Sequence, residues 1–345
     1  MSKTAKIGKL KIGAKYPIRI KGMLKTPIAK TKQLIGEAKS LEAEGVEAIR
    51  LAVLNEEGAR AATILRKHVS VPLVADIHFQ YKTALMAIDS GFEGIRLNPS
   101  NIYKKNEVIS VVKSAKRNKI SIRVGVNSGG FKKNFSSRRM MAKQMVKSAV
   151  DYIKILEKQN FFDTMVSFKG ADVLTTLEAN RMFAKKSDYP LHLGVTATGP
   201  FVDAVVKSSI GIGTLLSEGI GNVIRVSLSA PSVLEVQVAK AICQALDLRR
   251  FGPEIISCPT CSRCEVDLIK IVDEFKRKIE KDKIDKYCKV ALMGCVVNGP
   301  GEAYQADIGA AFGKKKAAIF KKDKIIGWSN EKDIIGDLLK EVRKK

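Results

Sequence analysis

Ala48-Ile49-Arg50-Leu51-Ala52-Val53-Leu54 is an apolar run of strand length with an arginine at its centre. The phrase returns as Gly94-Ile95-Arg96-Leu97, as Ser121-Ile122-Arg123-Val124 and as Val223-Ile224-Arg225-Val226. Working outward from these four, the strand candidates are Pro17–Leu24, Ala48–Leu54, Val71–His78, Gly94–Pro99, Ser121–Asn127, Thr164–Gly170, Pro190–Thr196 and Val223–Ser229. Amphipathic stretches such as Thr31–Glu44 and Val202–Leu216 lie between them. Eight βα units in about 245 residues predict an α/β fold, a (β/α)8 TIM barrel, whose usual size is about 250 residues. A doubly wound sheet would carry a glycine-rich turn after its first strand. The candidate glycines, Ile210-Gly211-Ile212-Gly213, sit inside a helical stretch, where they read as helix packing.

Side chains alternate along a strand, so if Ile49 and Leu51 face the outer helices, Arg50 and Ala52 face the barrel axis. The same parity turns inward Asp76 and His78, Arg96 and Asn98, Arg123 and Asn127, Ser167 and Lys169, His192 and Thr196, and Arg225 and Ser227. Barrel interiors are usually filled with Val, Ile and Leu. Four arginines and a lysine sharing one carboxylate need negative charge from outside, because an unpaired buried guanidinium costs several kcal/mol. A bound phosphate or diphosphate supplies it. His78 falls at a strand C-terminus, where active-site residues of this fold collect, while His68 reads as an ordinary helix-end residue.

The chain has 345 residues, room for two domains at about 150 each. The barrel is assigned to residues 1–248. A linker begins at Arg249-Arg250-Phe251-Gly252-Pro253, and residues 249–345 read as a smaller α+β domain. Its expected order is a strand, a helix over Cys264–Glu280, a strand over Lys289–Val297, short strands near Gly309 and within Ala317–Gly327, and a last helix near Glu331–Lys344. Lys and Arg outnumber Asp and Glu by 61 to 35, a formal charge of +26 that points to anionic partners, nucleic acid or phosphorylated small molecules. The first 30 residues hold nine basic and no acidic residues and no long apolar stretch. Neither a membrane span nor a secretory signal is expected, and a cytoplasmic protein is.

All six cysteines lie in the last third: Cys243, Cys258, Cys261, Cys264, Cys288 and Cys295. Cys258-Pro-Thr-Cys261-Ser-Arg-Cys264 offers thiolates three residues apart, a spacing that suits one metal centre. The fourth cysteine and proline of a ferredoxin run are missing, since Leu268 and Ile269 occupy those positions. Zinc held by Cys258, Cys261, Cys288 and Cys295 is an alternative by spacing alone. Met293-Gly294-Cys295-Val296-Val297-Asn298-Gly299-Pro300-Gly301-Glu302 adds a cysteine at a strand end, a tight turn and a carboxylate able to fold back. Cys243 is most simply a small buried apolar residue.

Cys258-Pro-Thr-Cys261 followed by Gly294-Cys295-Val296-Val297-Asn298-Gly299-Pro300-Gly301-Glu302 resembles the hydroxymethylbutenyl diphosphate synthase family, iron–sulfur enzymes of the methylerythritol phosphate route to isoprenoids. Val74-Ala75-Asp76-Ile77-His78, Arg96-Leu97-Asn98-Pro99, Ile122-Arg123-Val124-Gly125-Val126-Asn127, His192-Leu193-Gly194-Val195-Thr196, Lys207-Ser208-Ser209-Ile210-Gly211 and Ser217-Glu218-Gly219-Ile220-Gly221 are similar to its barrel signatures. The resemblance implies reductive ring opening of a cyclic diphosphate, with two electrons passing through a [4Fe-4S] cluster. It implies Cys258, Cys261, Cys295 and Glu302 as cluster ligands, with Glu302 labile and catalytic. Arg50, Arg96, Arg123, Asn127 and Lys207 would hold the diphosphate, and Glu235, Asp76 and His78 would stand near the reacting carbons. Flavodoxin or ferredoxin is implied as electron donor, and a homodimer as the assembly; no membrane and no nucleic acid are involved. The chain departs from the family where Gln-Ser-Met-Thr becomes Lys21-Gly22-Met23-Leu24, where Asn-Pro-Gly-Asn becomes Asn98-Pro99-Ser100-Asn101, at Ala197, and in the additional thiol Cys264. Two rival readings are a zinc-bearing nucleic-acid-binding protein and a metal-free barrel enzyme of the pterin-synthase kind with a zinc appendage. One Trp and 6% aromatics give little for bases to stack on, which weighs against the first.

Overall fold

Period-two alternation in the strands and period-3.6 burial in the helices resolve into two units in the computed structural model, Met1–Arg249 and Arg250–Lys345. The structure describes residues 3–131, 135–196, 198–296, 303, 306–322 and 324–344. The chain opens with an antiparallel hairpin, β1 (Ala5–Ile7) and β2 (Leu10–Ile12). The parallel barrel strands follow: β3 (Arg19–Met23), β4 (Ala48–Val53), β5 (Leu73–Ile77), β6 (Gly94–Leu97), β7 (Ser121–Asn127), β8 (Thr164–Lys169), β9 (His192–Leu193) and β10 (Val223–Ile224). Their order is β8-β7-β6-β5-β4-β3-β10-β9, and a parallel bridge between Val166 and Leu191 brings the two ends together into a nearly closed barrel. The last two strands are shorter than the sequence predicts. Beyond Leu193 and Ile224 the ladder thins, among the described residues, to bonds such as Arg225 N–H to Leu193 O at 3.1 Å and Thr196 N–H to Gly170 O at 3.5 Å.

The outer helices are α1 (Thr31–Ala43), α2 (Glu56–Leu65), α3 (Tyr81–Asp89), α4 (Lys105–Arg117), α5 (Arg138–Glu157), α6 (Val173–Ala184), α7 (Phe201–Ser217) and α8 (Ser232–Ala245). Helix α4 shows why they form: Val108, Val111, Val112 and Ala115 make one buried stripe at helical spacing. Side-chain caps start others, Asn55 accepting from Gly58 N at 2.9 Å and Asp172 from Thr175 N at 2.8 Å. On α7 the glycine pair divides. A Cβ on Gly211 would stand 2.6 Å from Val195 Cγ2, whereas Gly213 faces open space, so only Gly211 serves packing.

The floor of the barrel is apolar. Ala48, Val74, Met165 and Val223 form a buried cluster with Ala5, Ile7 and Ile12 of the hairpin. Two residues further along four of these strands, the same inward faces carry Arg50, Asp76, Ser167 and Arg225. The change from apolar to charged therefore takes place within one step of the pleat.

The second unit is a five-stranded mixed sheet: β11 (Glu254–Ser257), β12 (Lys289–Met293), β13 (Ile308–Phe312), β14 (Lys316–Lys321) and β15 (Lys324–Asn330), in that order. The first three are parallel and the last three antiparallel. Helices α9 (Leu268–Lys281) and α10 (Ile334–Arg343) cover one face through Leu268, Ile271, Phe275, Ile334 and Leu338. Helix α9 starts four residues later than predicted, because Asp267 caps it by accepting from Lys270 N at 3.1 Å, leaving the cysteine run as a loop. Among the described residues, no helix is long and apolar enough to cross a membrane.

Candidate active site

The inward faces predicted from parity are where the buried charges lie. Arg50, Asp76, Arg96, Arg123, Ser167, Lys169 and His192 are all buried, joined by Lys21 of β3, which the sequence reading had left out. Lys21 sits in Ile-Lys-Gly-Met, without the Ile-Arg signature, but the alternation Arg19, Lys21, Met23 would have located it. With Arg225 included, six basic side chains share the interior with the carboxylate of Asp76, and the buried Glu235 of α8 acts on Arg225 as well. Asp76 accepts what it can: its two oxygens lie 3.6 Å from Arg50 Nη1 and 3.5 Å from Arg96 Nη1. Arg96 also donates to Gly125 O at 3.0 Å, Arg123 to Ser167 Oγ at 3.1 Å, and Arg50 Nε to Met23 Sδ at 3.0 Å.

Gly125 in β7 and Gly194 just after β9 make room for these long side chains. A Cβ on Gly125 would stand 2.5 Å from Arg96 Nε, and one on Gly194 would stand 2.7 Å from Lys169 Nζ. Even so, several donors have nothing to bond. Among the described residues Lys21 Nζ, Arg123 Nε and Nη2, Arg225 Nε and both ring nitrogens of His192 are buried without a hydrogen-bond partner. Native proteins leave few such groups, and a cluster of them at one place asks for a missing acceptor.

The electrostatics agree. Burial, reinforced by the neighbouring arginines, holds Lys21 well below the usual lysine range and Arg123 well below the usual arginine range. Burial together with Arg225 and the other cations does the same to Lys169, and burial with Arg123 and Lys169 to His192. Burial brings Arg225 down to about 10. For Asp76 burial pushes upward, but Arg50, Arg96 and Arg123 outweigh it and keep the carboxyl well below its usual range. A polyanion of two or three charges at this spot would satisfy the orphaned donors and relieve the mutual repulsion of the cations.

Around this ring stand the other predicted residues. His78, half-buried after β5, has Nδ1 3.1 Å from Asp76 O. Asn127 ends β7 in register with Lys169, the last residue of β8. Glu235, buried on α8, pairs with Lys25 Nζ at 2.8 Å and accepts from Leu228 N at 2.9 Å, leaving Oε2 without a partner. Lys207 is not brought into the ring. It lies half-buried on α7, its Nζ donating to Thr198 O at 3.0 Å, and Thr198 Oγ1 donates in turn to Ser227 O at 2.6 Å. Ala197 lies outside the described residues.

In the second unit two of the cysteines follow the C-terminal ends of neighbouring strands. Cys258 directly follows β11 and Cys295 comes two residues after the end of β12, its parallel neighbour, with Ser257 in register with Leu292. Between the cysteines of Cys258-Pro259-Thr260-Cys261, Thr260 takes a left-handed φ of 60°, turning the loop sharply. Gly294 N–H donates to Cys258 Sγ at 3.3 Å, and a Cβ on Gly294 would overlap Cys264 Sγ. Cys264 Sγ itself lies 3.2 Å from Val266 O. No disulfide joins the six cysteines; Cys243 and Cys288 are buried, and burial pushes the Cys243 thiol up to about 11. Among the described residues no three His, Cys, Asp or Glu side chains stand together as a metal-holding group, and Glu302, with Asn298, Gly299, Pro300 and Gly301, lies outside them. The donor chemistry nevertheless fits an iron–sulfur centre. It offers soft thiols at adjacent strand ends, one already receiving a backbone N–H, beside a glycine whose Cβ would overlap a third thiol.

Comparison with known proteins bears on both units. Residues 2–240 match the GcpE TIM-barrel domain and residues 254–344 the GcpE protein C-terminal domain. A protein of Thermodesulfovibrio yellowstonii named 4-hydroxy-3-methylbut-2-en-1-yl diphosphate synthase (flavodoxin) is 46% identical over 340 residues, covering 98% of this chain and 97% of that one. One of the same name from Clostridium acetobutylicum is 43% identical over 343 residues, covering 99% and 98%. Among solved structures, Yersinia pestis dihydropteroate synthase superposes with a TM-score of 0.54 at 12% identity, over 72% of this chain and 98% of that one, a likeness of fold alone.

Proposed function

The chain belongs to the GcpE family, and from that premise we propose that it opens 2-C-methyl-D-erythritol 2,4-cyclodiphosphate reductively to (E)-4-hydroxy-3-methylbut-2-enyl diphosphate, a step of isoprenoid precursor biosynthesis. The reaction consumes two electrons and two protons, breaks a ring C–O bond to phosphate and releases one hydroxyl as water. The observation that carries the reading is the set of buried, unpartnered cationic donors inside the barrel, which calls for a phosphorylated ligand. Arg50, Arg96 and Arg123, with Lys169 and Arg225, form the diphosphate clamp, and Asn127 contributes at its rim. Charge on the phosphates is met by donors already fixed in place, so little reorganisation is needed during the reaction.

Asp76, kept ionised by its arginines, positions Arg50 and Arg96 and has no proton to give near neutral pH. His78, whose Nδ1 donates to Asp76 O, and Glu235, which offers the unpartnered Oε2, are the proton-handling candidates. Lys207 fixes the loop after β9 through Thr198.

Cys258, Cys261 and Cys295, with Glu302, would hold a [4Fe-4S] cluster. When bound, such a cluster supplies single electrons and an exchangeable iron position. Flavodoxin, part of the relatives' names, is the electron donor in this reading, and the +26 charge of the chain suits an acidic carrier. A cytoplasmic homodimer belongs to the same reading.

Anaerobic purification with iron, sulfide and zinc analysis tests it. A brown protein with about four irons per chain, retained in Cys264→Ser and lost in Cys258→Ser, is expected. Zinc without a chromophore would overturn the reductase assignment.

A further inference from the structure

Lys21 is 2% exposed, and its Nζ has no hydrogen-bond partner among the described residues. The β3–β4 register puts Met23 level with Arg50 and Lys21 level with Ala48, one inward-facing position deeper. On the other side, β10 pairs Ile224 with Ile20, so Arg225 follows beside Lys21. The charged and titratable groups around it are Arg50 from β4, Asp76 from β5, Arg123 from β7, His192 from β9 and Arg225 just after β10. Asp76 is the only carboxylate of these, and Arg50 and Arg96 already flank it.

A side chain present only to fill the barrel would serve better as Met or Leu, because a buried amine without an acceptor opposes folding. An amine retained there, among guanidinia whose own N–H groups are unpartnered, has the chemistry of a polyanion ligand. We propose that Lys21 is a further substrate-binding residue of this barrel, the innermost donor of the ring, which donates to the phosphoryl oxygens of the diphosphate. The proposal rests on the reading of the barrel as a diphosphate site, and it concerns a position where the family usually carries glutamine. Burial and the three arginines disfavour the ammonium form, and phosphoryl charges beside it favour that form.

The test is calorimetric titration of the holoenzyme with inorganic pyrophosphate near neutral pH for the wild type, Lys21→Gln and Lys21→Met. Both variants should bind about tenfold to a hundredfold more weakly, the loss expected for one charge-assisted hydrogen bond. With the cyclic diphosphate they should raise KM and leave kcat within about twofold, as expected of a group that binds ground and transition states alike. Without anion, Lys21→Met should melt no lower than the wild type, which separates lost binding from lost folding. Equal affinity in all three proteins would overturn the role of Lys21 while keeping the diphosphate site. A wild type that binds no pyrophosphate would overturn the diphosphate reading, and the role of Lys21 with it.

Discussion

Replacing Asp76 by asparagine removes the carboxylate that lies between Arg50 and Arg96 while keeping its shape. In the wild type its oxygens lie 3.6 Å from Arg50 and 3.5 Å from Arg96, and all three side chains are buried. Taking away one partner of a buried ion pair costs about 3–5 kcal/mol, because the remaining charges keep their desolvation penalty. For a barrel of this size each kcal/mol moves the melting temperature by about 2–4 °C, so Asp76→Asn should melt about 6–20 °C lower. Inorganic pyrophosphate at about a hundred times its Kd should return about 2.7 kcal/mol of that, since it binds only the folded barrel. The pH dependence follows from the depressed carboxyl. Its stabilising contribution is complete above the unfolded value of about 3.9 and is lost as pH falls through the lower folded value, so the wild type should lose an acid-labile component that the variant lacks. Scanning calorimetry with and without pyrophosphate is the assay. A variant melting within about 2 °C of the wild type without anion would refute the account of Asp76 as the counter-charge of the ring.

Arg123→Met should give the opposite combination. It replaces a buried cation with two unpartnered N–H groups by an apolar side chain, so the barrel should melt at or above the wild-type temperature while pyrophosphate affinity, read by calorimetry, falls by about a hundredfold. In the second unit Gly294→Ala should cost about 1–3 kcal/mol and lower the iron content, because the new methyl overlaps Cys264 Sγ; adding Cys264→Ala should restore both, and failure of that rescue would remove the steric explanation.

The Ile-Arg phrase made most of the barrel legible, because a strand with an arginine on alternate positions can only be stable if the arginine faces an enclosed polar space. Each predicted barrel strand contains an observed one. The interior side chains Arg50, Asp76, Arg96, Arg123 and Lys169 sit where parity put them. What escaped had weaker local signals. Lys21 sits in a five-residue strand next to Gly22, and the hairpin of β1 and β2 is only three residues a side, although Ala5, Ile7, Leu10 and Ile12 alternate as strands should. Lys207 matched a family signature by sequence but is carried by a helix whose packing directs its amine to Thr198. The start of α9 was misplaced because Cys264 can continue a helical pattern, and only the cap at Asp267 shows where the helix begins. Sequence spacing brought the cysteines into one motif; the pairing of β11 with β12, a long-range contact, is what sets Cys258 beside Gly294.

The barrel wall is not uniform. Strands β4, β7 and β8 are six or seven residues long, whereas β9 and β10 have two residues each, and β8 meets the neighbourhood of β9 through the bridge from Val166 to Leu191 and the bonds of Thr196 to Gly170 O. Above that seam, side-chain bonds from Lys207 to Thr198 and from Thr198 to Ser227 do the work of a ladder. The cation ring is thus mounted on two kinds of support. Arg50, Asp76, Arg96 and Arg123 each stand in register with both neighbouring strands, so the ladder sets their spacing. Arg225 follows a two-residue strand, and its place depends on side-chain bonds in the segment beyond it.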